Sequence, residues 1–229
     1  MPVALITGAS KGLGRALARE LAGRGWSLVL DARGAEALDA VARELPSATV
    51  VAGDITDAGH REQLAAAVRQ LGRLDLLVNN ASYLGPSPMP SLAEYPLDEL
   101  ARVYDVDVVA PLALIQVVRP LLADGAAIVN ITSDASVEPY EGWGGYGSAK
   151  AALDHLTAIL AAEQPAYSVY AVDPGDMRTE MHQAAFPGED ISDRPEPEAT
   201  VPALLRLLDQ RPPSGRYRAG DFAVAEAVR

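Results

Sequence analysis

The sequence predicts an α/β fold in which a mostly parallel β-sheet is covered by helices on both faces. Three observations carry that prediction. Apolar runs of strand length alternate with helix-period segments along the chain. The strand runs are apolar on successive residues, as a sheet buried from both sides requires. The helical segments between them are mostly long enough to cross over from one parallel strand to the next.

Taken in order, Val3 to Thr7 is a short apolar run ending at a glycine and reads as the first strand. Gly14 to Arg24 repeats leucine and alanine at helical spacing and follows as the first helix. Ser27 to Asp31 and Thr49 to Ala52 are the next strands, separated by helical Ala35 to Leu45. Ala58 to Leu71 is the third helical segment and Leu74 to Asn79 the fourth strand. Leu97 to Leu122 is the longest helical stretch; Pro111 inside it predicts a kink and Pro120 lies near its end. Ala126 to Thr132 and Ser168 to Asp173 are strands on either side of helical Tyr146 to Glu163. From Gly175 to Pro197 the chain reads as irregular with one short helix. A long loop beyond the carboxyl ends of the strands is where a substrate lid lies, so 176–197 is expected to be one; a surface excursion serving packing or assembly is the alternative. Ala199 to Leu208 reads as helix and Arg216 to Ala219 as a last short strand.

At 229 residues, 49% of them hydrophobic, the chain can bury one sizeable core, so 1–229 reads as a single domain. It contains no cysteine, which excludes disulfides, thiolate metal sites and a cysteine nucleophile and fits a reducing cytoplasm. Met1 to Ile6 runs into a glycine loop with no basic region before it, unlike a signal peptide, and no apolar run reaches membrane-spanning length. A net charge of −12 opposes general attraction to nucleic acid or anionic lipid. His155 and His182 lack metal-ligand spacing, and no metal site is expected.

The motifs that carry chemistry begin where the first strand ends. Thr7-Gly8-Ala9-Ser10-Lys11-Gly12-Leu13-Gly14 sits between a strand and a helix, where glycines let the backbone approach a pyrophosphate that amide groups and the helix dipole stabilise. Tyr146 and Lys150 are four residues apart, which on a helix places phenol and ammonium one above the other. A free phenol titrates near pH ~10, and a cation beside it lowers that value toward the range where it exchanges protons with an alcohol or carbonyl. The same spacing occurs on ordinary solvated helix faces, so the pair takes its meaning from context. Ser133 follows the fifth strand, thirteen residues before Tyr146; alone it would read as a turn former.

With Thr-Gly-x-x-x-Gly-x-Gly at 7–14, Asn79-Asn80-Ala81-Ser82, Ser133, Tyr-x-x-x-Lys and Asp173-Pro174-Gly175 in that order, the chain resembles the short-chain dehydrogenase/reductase family over nearly its whole length. The resemblance implies a Rossmann-type three-layer sandwich with a doubly wound, mostly parallel sheet of about seven strands. It also implies a nicotinamide cofactor, a small-molecule carbonyl or alcohol substrate, and a homodimer or homotetramer. By the same resemblance Ser133 holds and polarises the carbonyl oxygen, Tyr146 delivers its proton, and Lys150 lowers the phenol pKa while binding the nicotinamide ribose. Gly8, Ser10, Lys11, Gly12, Leu13 and Gly14 are then expected around the pyrophosphate, and Asp54 with Ile55 at the adenine edge. Asn80 and Ala81 are expected near the adenosine ribose, and Thr179 at the nicotinamide amide, with Pro174 and Gly175 also on the cofactor. Asp54 reads almost as well as a turn or helix-entry acid.

Cofactor choice turns on charge, because NADP carries a 2′-phosphate that wants cations whereas NAD offers a ribose diol that an acid accepts. The second strand ends Leu30-Asp31-Ala32-Arg33. The family's discriminating acid aligns with Ala32 and its NADP-preferring arginine with Arg33; Lys11 adds a second cation, so NADP(H) is expected. A one-residue shift would make Asp31 a ribose acceptor, and NAD(H) is the alternative.

Val106-Asp107-Val108 stands where the family carries an asparagine whose main-chain carbonyl holds a water in the proton relay, so Asp107 joins the catalytic positions. A carboxylate buried there needs a partner or a proton; near Tyr146 it raises the phenol pKa, and pairing with Lys150 competes with the ribose contact. Tyr83, Leu84, Tyr140, Trp143, Met177, Met181 and Phe186 follow strand ends or fall in the lid segment and suggest an apolar pocket, although such residues also serve packing. The function expected is an NADP-dependent oxidoreductase interconverting a carbonyl and a secondary alcohol, with Tyr146 as proton donor. The alternative is a non-catalytic dinucleotide-binding redox sensor.

Overall fold

The computed structural model describes residues 1–223. Its strands are β1 (Val3–Ile6), β2 (Ser27–Ala32), β3 (Ala48–Ala52), β4 (Leu74–Asn79), β5 (Leu122–Ile131), β6 (Ser168–Asp173) and β7 (Gly215–Arg218). They form one sheet in the order β3-β2-β1-β4-β5-β6-β7, with every neighbouring pair parallel. Strand order reverses between β1 and β4, the switch point outside which open α/β sheets bind ligands. The fold is the Rossmann-type arrangement expected.

The helices are α1 (Gly12–Gly23), α2 (Ala35–Arg43), α3 (Ala58–Leu71), α4 (Leu97–Tyr104), α5 (Ala110–Val118), α6 (Gly144–Glu163), α7 (Glu180–Ala185) and α8 (Pro197–Gln210). Side chains alternate across the sheet. Ala4, Ile6, Leu28 and Leu30 pack under Leu17, Leu21 and Leu204 of α1 and α8, while Val3, Leu5 and Val29 face Leu64, Val68 and Leu114 of α3 and α5. Each such side chain stabilises the fold by about 1.5–3 kcal/mol on burial, so the two apolar faces fix which helices lie on which side.

Two boundaries differ from the sequence pattern. β5 begins at Leu122 rather than Ala126, because Leu122 pairs with Leu74 before an irregularity shifts the register to Leu76 and Ala127. The expected long helix from Leu97 to Leu122 is broken: a π-turn at Asp105–Val109 separates α4 from α5, and a 3₁₀ turn at Arg119–Leu121 holds Pro120. Pro111 has no N–H for the carbonyl of Asp107, so the wider pattern, in which Ala110 N–H reaches Asp105 O, takes over just before it. Asp107 lies inside this turn, fully buried.

Buried amides fasten the sheet to α6. Asn79 Nδ2 donates to Asn130 Oδ1 at 2.8 Å, and Asn130 Nδ2 to Thr157 Oγ1 at 2.8 Å. This chain joins β4, β5 and α6 with every buried amide paired, as a low-dielectric interior demands. Among the described residues no helix is long and apolar enough to cross a membrane.

α6 also packs closely on the turn Asp134–Ser136, where a Cβ on Gly147 would stand 2.6 Å from the carbonyl oxygen of Ala135. Gly147→Ala is therefore expected to cost about 1–3 kcal/mol in denaturant unfolding and to lower activity by moving the turn that follows Ser133. An unchanged midpoint would sink this steric account.

Candidate active site

Loops at the carboxyl edge of the sheet enclose a cleft of about 730 Å³, within the usual size range for small-molecule sites. At one end lies the glycine loop. Gly8 and Gly12 have φ of +65° and +55°, conformations that side-chain-bearing residues rarely adopt. A Cβ on Gly14 would sit 2.5 Å from the carbonyl oxygen of Gly8, so only glycine closes this turn. The first turn of α1 has neither a side-chain cap nor an acidic residue. Its free amides and dipole therefore suit an anion. Ser10, Lys11, Gly12 and Leu13 border the cleft, with Gly14 behind them.

Asn80 holds this loop. Its amide donates to the carbonyls of Thr7 and Gly8 at 2.9 and 3.2 Å, and Thr7 Oγ1 accepts the N–H groups of Asn80 and Ala81, both at 2.9 Å. Asn80 and Ala81, expected near the ribose, both border the cleft, and the Asn80 side chain joins the two loops of the switch point.

Beyond the ends of β2 and β3, Arg33, Asp54 and Ile55 border the cleft. Asp54 Oδ1 accepts the N–H and hydroxyl of Thr56 at 2.9 and 2.8 Å, which with nearby Arg33 holds its carboxyl below the usual range. It is a turn acid as well as a cleft residue. Asp31 borders the cleft, but its side chain is only 2% exposed. β2 alternation turns it toward α3, where its Oδ1 lies 2.5 Å from His60 Nε2. Burial pushes its carboxyl above the ordinary value, with His60 opposing. Lys11 meets Glu180 of α7 in an ion pair whose side chains are 66% and 76% exposed, so the contact adds little to stability.

At the other end Ser133, Tyr146 and Lys150 come together. Ser133 precedes the turn Asp134–Ser136; its hydroxyl donates to Asp134 Oδ1 at 3.0 Å and accepts the N–H of Ala135 at 3.2 Å. Arg216 of β7 fixes this segment, donating to the Ser133 carbonyl at 3.1 Å and to Asp154 at 3.0 Å. Nothing in the sequence marked Arg216, because a lone arginine on a four-residue strand carries no motif. Lys150 Nζ lies 5.3 Å from the centre of the Tyr146 ring and donates to Ile131 O at 3.0 Å and Asp107 Oδ1 at 3.3 Å. Asp107 also receives the N–H of Tyr83 at 3.3 Å.

The expectation of a lowered phenol is corrected here. Tyr146 is 9% exposed, and burial raises its pKa; Lys150 opposes that rise and Asp107 adds to it. Burial works against charge on Lys150 too, but Asp107 and Tyr146 outweigh it and hold the ammonium above its ordinary value. Burial likewise lifts Asp107, against the pull of Lys150. The cation expected to serve the phenol is shared with a carboxylate.

Trp143 forms the apolar wall, 5.9 Å edge-on from Tyr146 and 5.9 Å from Phe186, with Leu84, Met89 and Met181 packed around them. Tyr83 is different: its hydroxyl donates to Glu99 at 2.7 Å and Arg102 lies over its ring. Tyr140 donates to Asp134, and Met177 packs into the core beneath α1 and α8. Thr179 caps α7 by accepting the N–H of His182 at 3.1 Å, and its methyl lies near Gly12. Pro174 and Gly175 border the cleft, with Gly175 N–H on Asp173 at 3.0 Å. Among the described residues no cluster of three His, Asp or Glu could hold a metal ion.

A family model described as short chain dehydrogenase matches residues 2–190. The chain is 34% identical over 220 residues to an (S)-benzoin-forming benzil reductase of Saccharomyces cerevisiae, covering 91% of this chain and 81% of that one. It is 35% identical over 201 residues to sepiapterin reductase of Rattus norvegicus, covering 80% and 77%. A solved short chain dehydrogenase of Shigella flexneri complexed with NADP aligns with a TM-score of 0.88 at 29% identity, over 96% of this chain and 97% of that one.

Asp107→Asn removes a negative charge near the phenol and so favours its ionised form. With Tyr146 as the acid–base group, alcohol oxidation would need the phenolate, so the rising limb of its pH–rate profile is expected to move to lower pH in the variant, with turnover kept or improved. A large loss of turnover across the pH–rate profile would overturn that reading.

Proposed function

The chain belongs to the short-chain dehydrogenase/reductase family, and from that premise we propose that it is an NADP(H)-dependent oxidoreductase interconverting a carbonyl and a secondary alcohol on a small apolar substrate. The observation that carries the reading is one cleft with an anion-ready glycine loop at one end and Ser133, Tyr146 and Lys150 beside an aromatic wall at the other. The glycine cradle and the unpaired first amides of α1 fit a dinucleotide pyrophosphate. Arg33 and Lys11 lie at the cleft while Asp31 there is buried against His60, which favours the 2′-phosphorylated form. The NADP in the Shigella flexneri structure, and relatives named as reductases, support the same choice.

When bound, the nicotinamide supplies or accepts the hydride. The chain's own residues do the rest. Tyr146 donates its phenolic proton to the carbonyl oxygen in reduction, and its raised pKa keeps that proton in place near neutral pH. Ser133 positions the same oxygen once its hydroxyl turns from Asp134. Lys150 keeps a positive charge behind the phenol, its ammonium held by Asp107 Oδ1 and the Ile131 carbonyl, and would meet the nicotinamide ribose when the cofactor is bound. Trp143 and Phe186 exclude water and receive the apolar body of the substrate.

The whole chain, 1–229, is proposed to act as one catalytic domain with a lid at 176–197, in the cytoplasm. Homodimer or homotetramer formation is supported by Leu97, Val109 and Ile159, exposed apolar residues on and beside α4, α5 and α6. A redox sensor without catalysis is the second reading, and the Asp107 contact on Lys150 is the observation that favours it.

The test is a carbonyl panel, aryl ketones and diketones included, run with NADPH and NADH in parallel. Tyr146→Phe is expected to reduce turnover by about 10²–10⁴-fold while leaving NADPH binding intact. Arg33→Ala is expected to weaken NADPH by about tenfold and to leave NADH almost unchanged. Tight NADPH binding with no turnover across the panel would favour the sensor.

A further inference from the structure

We propose that His60 is a specificity-determining residue for the cofactor, acting through Asp31: it holds and offsets a carboxylate at the adenosine end of the cleft so that a 2′-phosphate can bind there. This rests on the NADP(H) reading and deepens it. His60 Nε2 and Asp31 Oδ1 are 2.5 Å apart, and their side chains are only 5% and 2% exposed. The carbonyl of Asp31 accepts the backbone N–H of Ala9 at 2.8 Å, so Asp31 stands directly behind the glycine loop. Asp31 borders the same cleft as Arg33 and Lys11.

Nothing in the fold requires an acid at this position. The neighbouring inward positions of β2 on that face and beside it are apolar, and a carboxylate so deep is costly without a partner. Its charge also opposes the cations that face a 2′-phosphate. Two like charges about 10 Å apart in a protein interior repel strongly enough to change an affinity by about tenfold. An imidazole can carry the compensating proton as well as the hydrogen bond; a glutamine side chain can donate the bond but not the charge.

The surroundings place His60 for this task. It occupies the first turn of α3, its N–H donated to the capping carboxylate of Asp57 at 2.7 Å. The ring lies against Gly53, where any Cβ would collide with it, so the pair also supports the turn that carries Asp54. The other charged groups nearby are Asp54 and Arg33 at the cleft, and Arg61, whose guanidinium donates to the Ile55 carbonyl at 2.7 Å. None of these makes an ion pair with Asp31 among the described residues.

The experiment measures dissociation constants for NADPH and NADH at fixed pH and ionic strength in the wild type, His60→Gln, Asp31→Asn and the double variant. His60→Gln is expected to raise the NADPH-to-NADH ratio of dissociation constants by about tenfold, and the double variant to return it to the wild-type value. Equal weakening of both cofactors by His60→Gln, an unchanged ratio, or no recovery on adding Asp31→Asn would overturn the proposal. If His60→Gln does not fold, Asp31→Asn alone decides: NADPH affinity at or above wild type supports it, and a selective loss of NADPH overturns it. A wild type that prefers NADH would remove the NADP(H) reading, whereas this inference is judged on the change in ratio between wild type and variant.

Discussion

Thr7 takes two backbone N–H groups from the loop after β4, and Asn80 returns its amide to the carbonyls of Thr7 and Gly8. The rest of the cleft hangs from that exchange. β1 and β4 are where the sheet reverses its strand order, and their two loops must part to admit a ligand without drifting from each other. Four hydrogen bonds of 2.9–3.2 Å, partly shielded from solvent, set the distance. The glycine loop then keeps its left-handed turns, α1 begins with its amides free, and the segment that follows β4 runs on to Asp107 and the catalytic end.

At that end burial and charge compete, and burial prevails over the phenol. Water is excluded around Tyr146 by Trp143, Leu84 and Ala185, so the ionised phenol loses more hydration than Lys150 restores. The lysine is divided between a carbonyl, a carboxylate and the phenol. Asp107 lies in the π-turn just before Pro111, on the side of the turn that, with Val108, is buried. Its carboxylate adds to the effect of burial in holding the proton on the phenol.

Past the end of β2 the logic is opposite: Arg33 is exposed and Asp31 is buried, because the period-two alternation of β2 directs Asp31 at α3 while Arg33 emerges past the strand end. Asp54 is fastened to Thr56 and shares the cleft with Arg33. The segment after β6 contributes as well: Thr179 caps α7 and approaches Gly12, and Glu180 meets Lys11. The same short helix therefore borders both the cofactor loop and the aromatic wall through Phe186.

Strand and helix order were legible in the chain because burial from both sides writes continuous apolar runs, and turns at strand ends demand glycine. Gly8, Gly12, Gly14, Ser133, Tyr146 and Lys150 were legible for a related reason: their chemistry depends on local spacing next to an element boundary, and all of them meet the one cleft or stand directly behind it. His60 and Arg216 left no such trace, since each acts on a partner far away in sequence, Asp31 and Ser133 respectively. Sequence placed Asn80 at the cofactor, but only the fold gave its amide to the glycine loop. The sequence by itself determined an α/β sheet, a dinucleotide loop and a phenol-lysine pair. The tertiary structure alone decided the protonation bias of that phenol and the concealment of Asp31, because desolvation and charge pairing depend on which distant side chains a fold brings within a few ångströms.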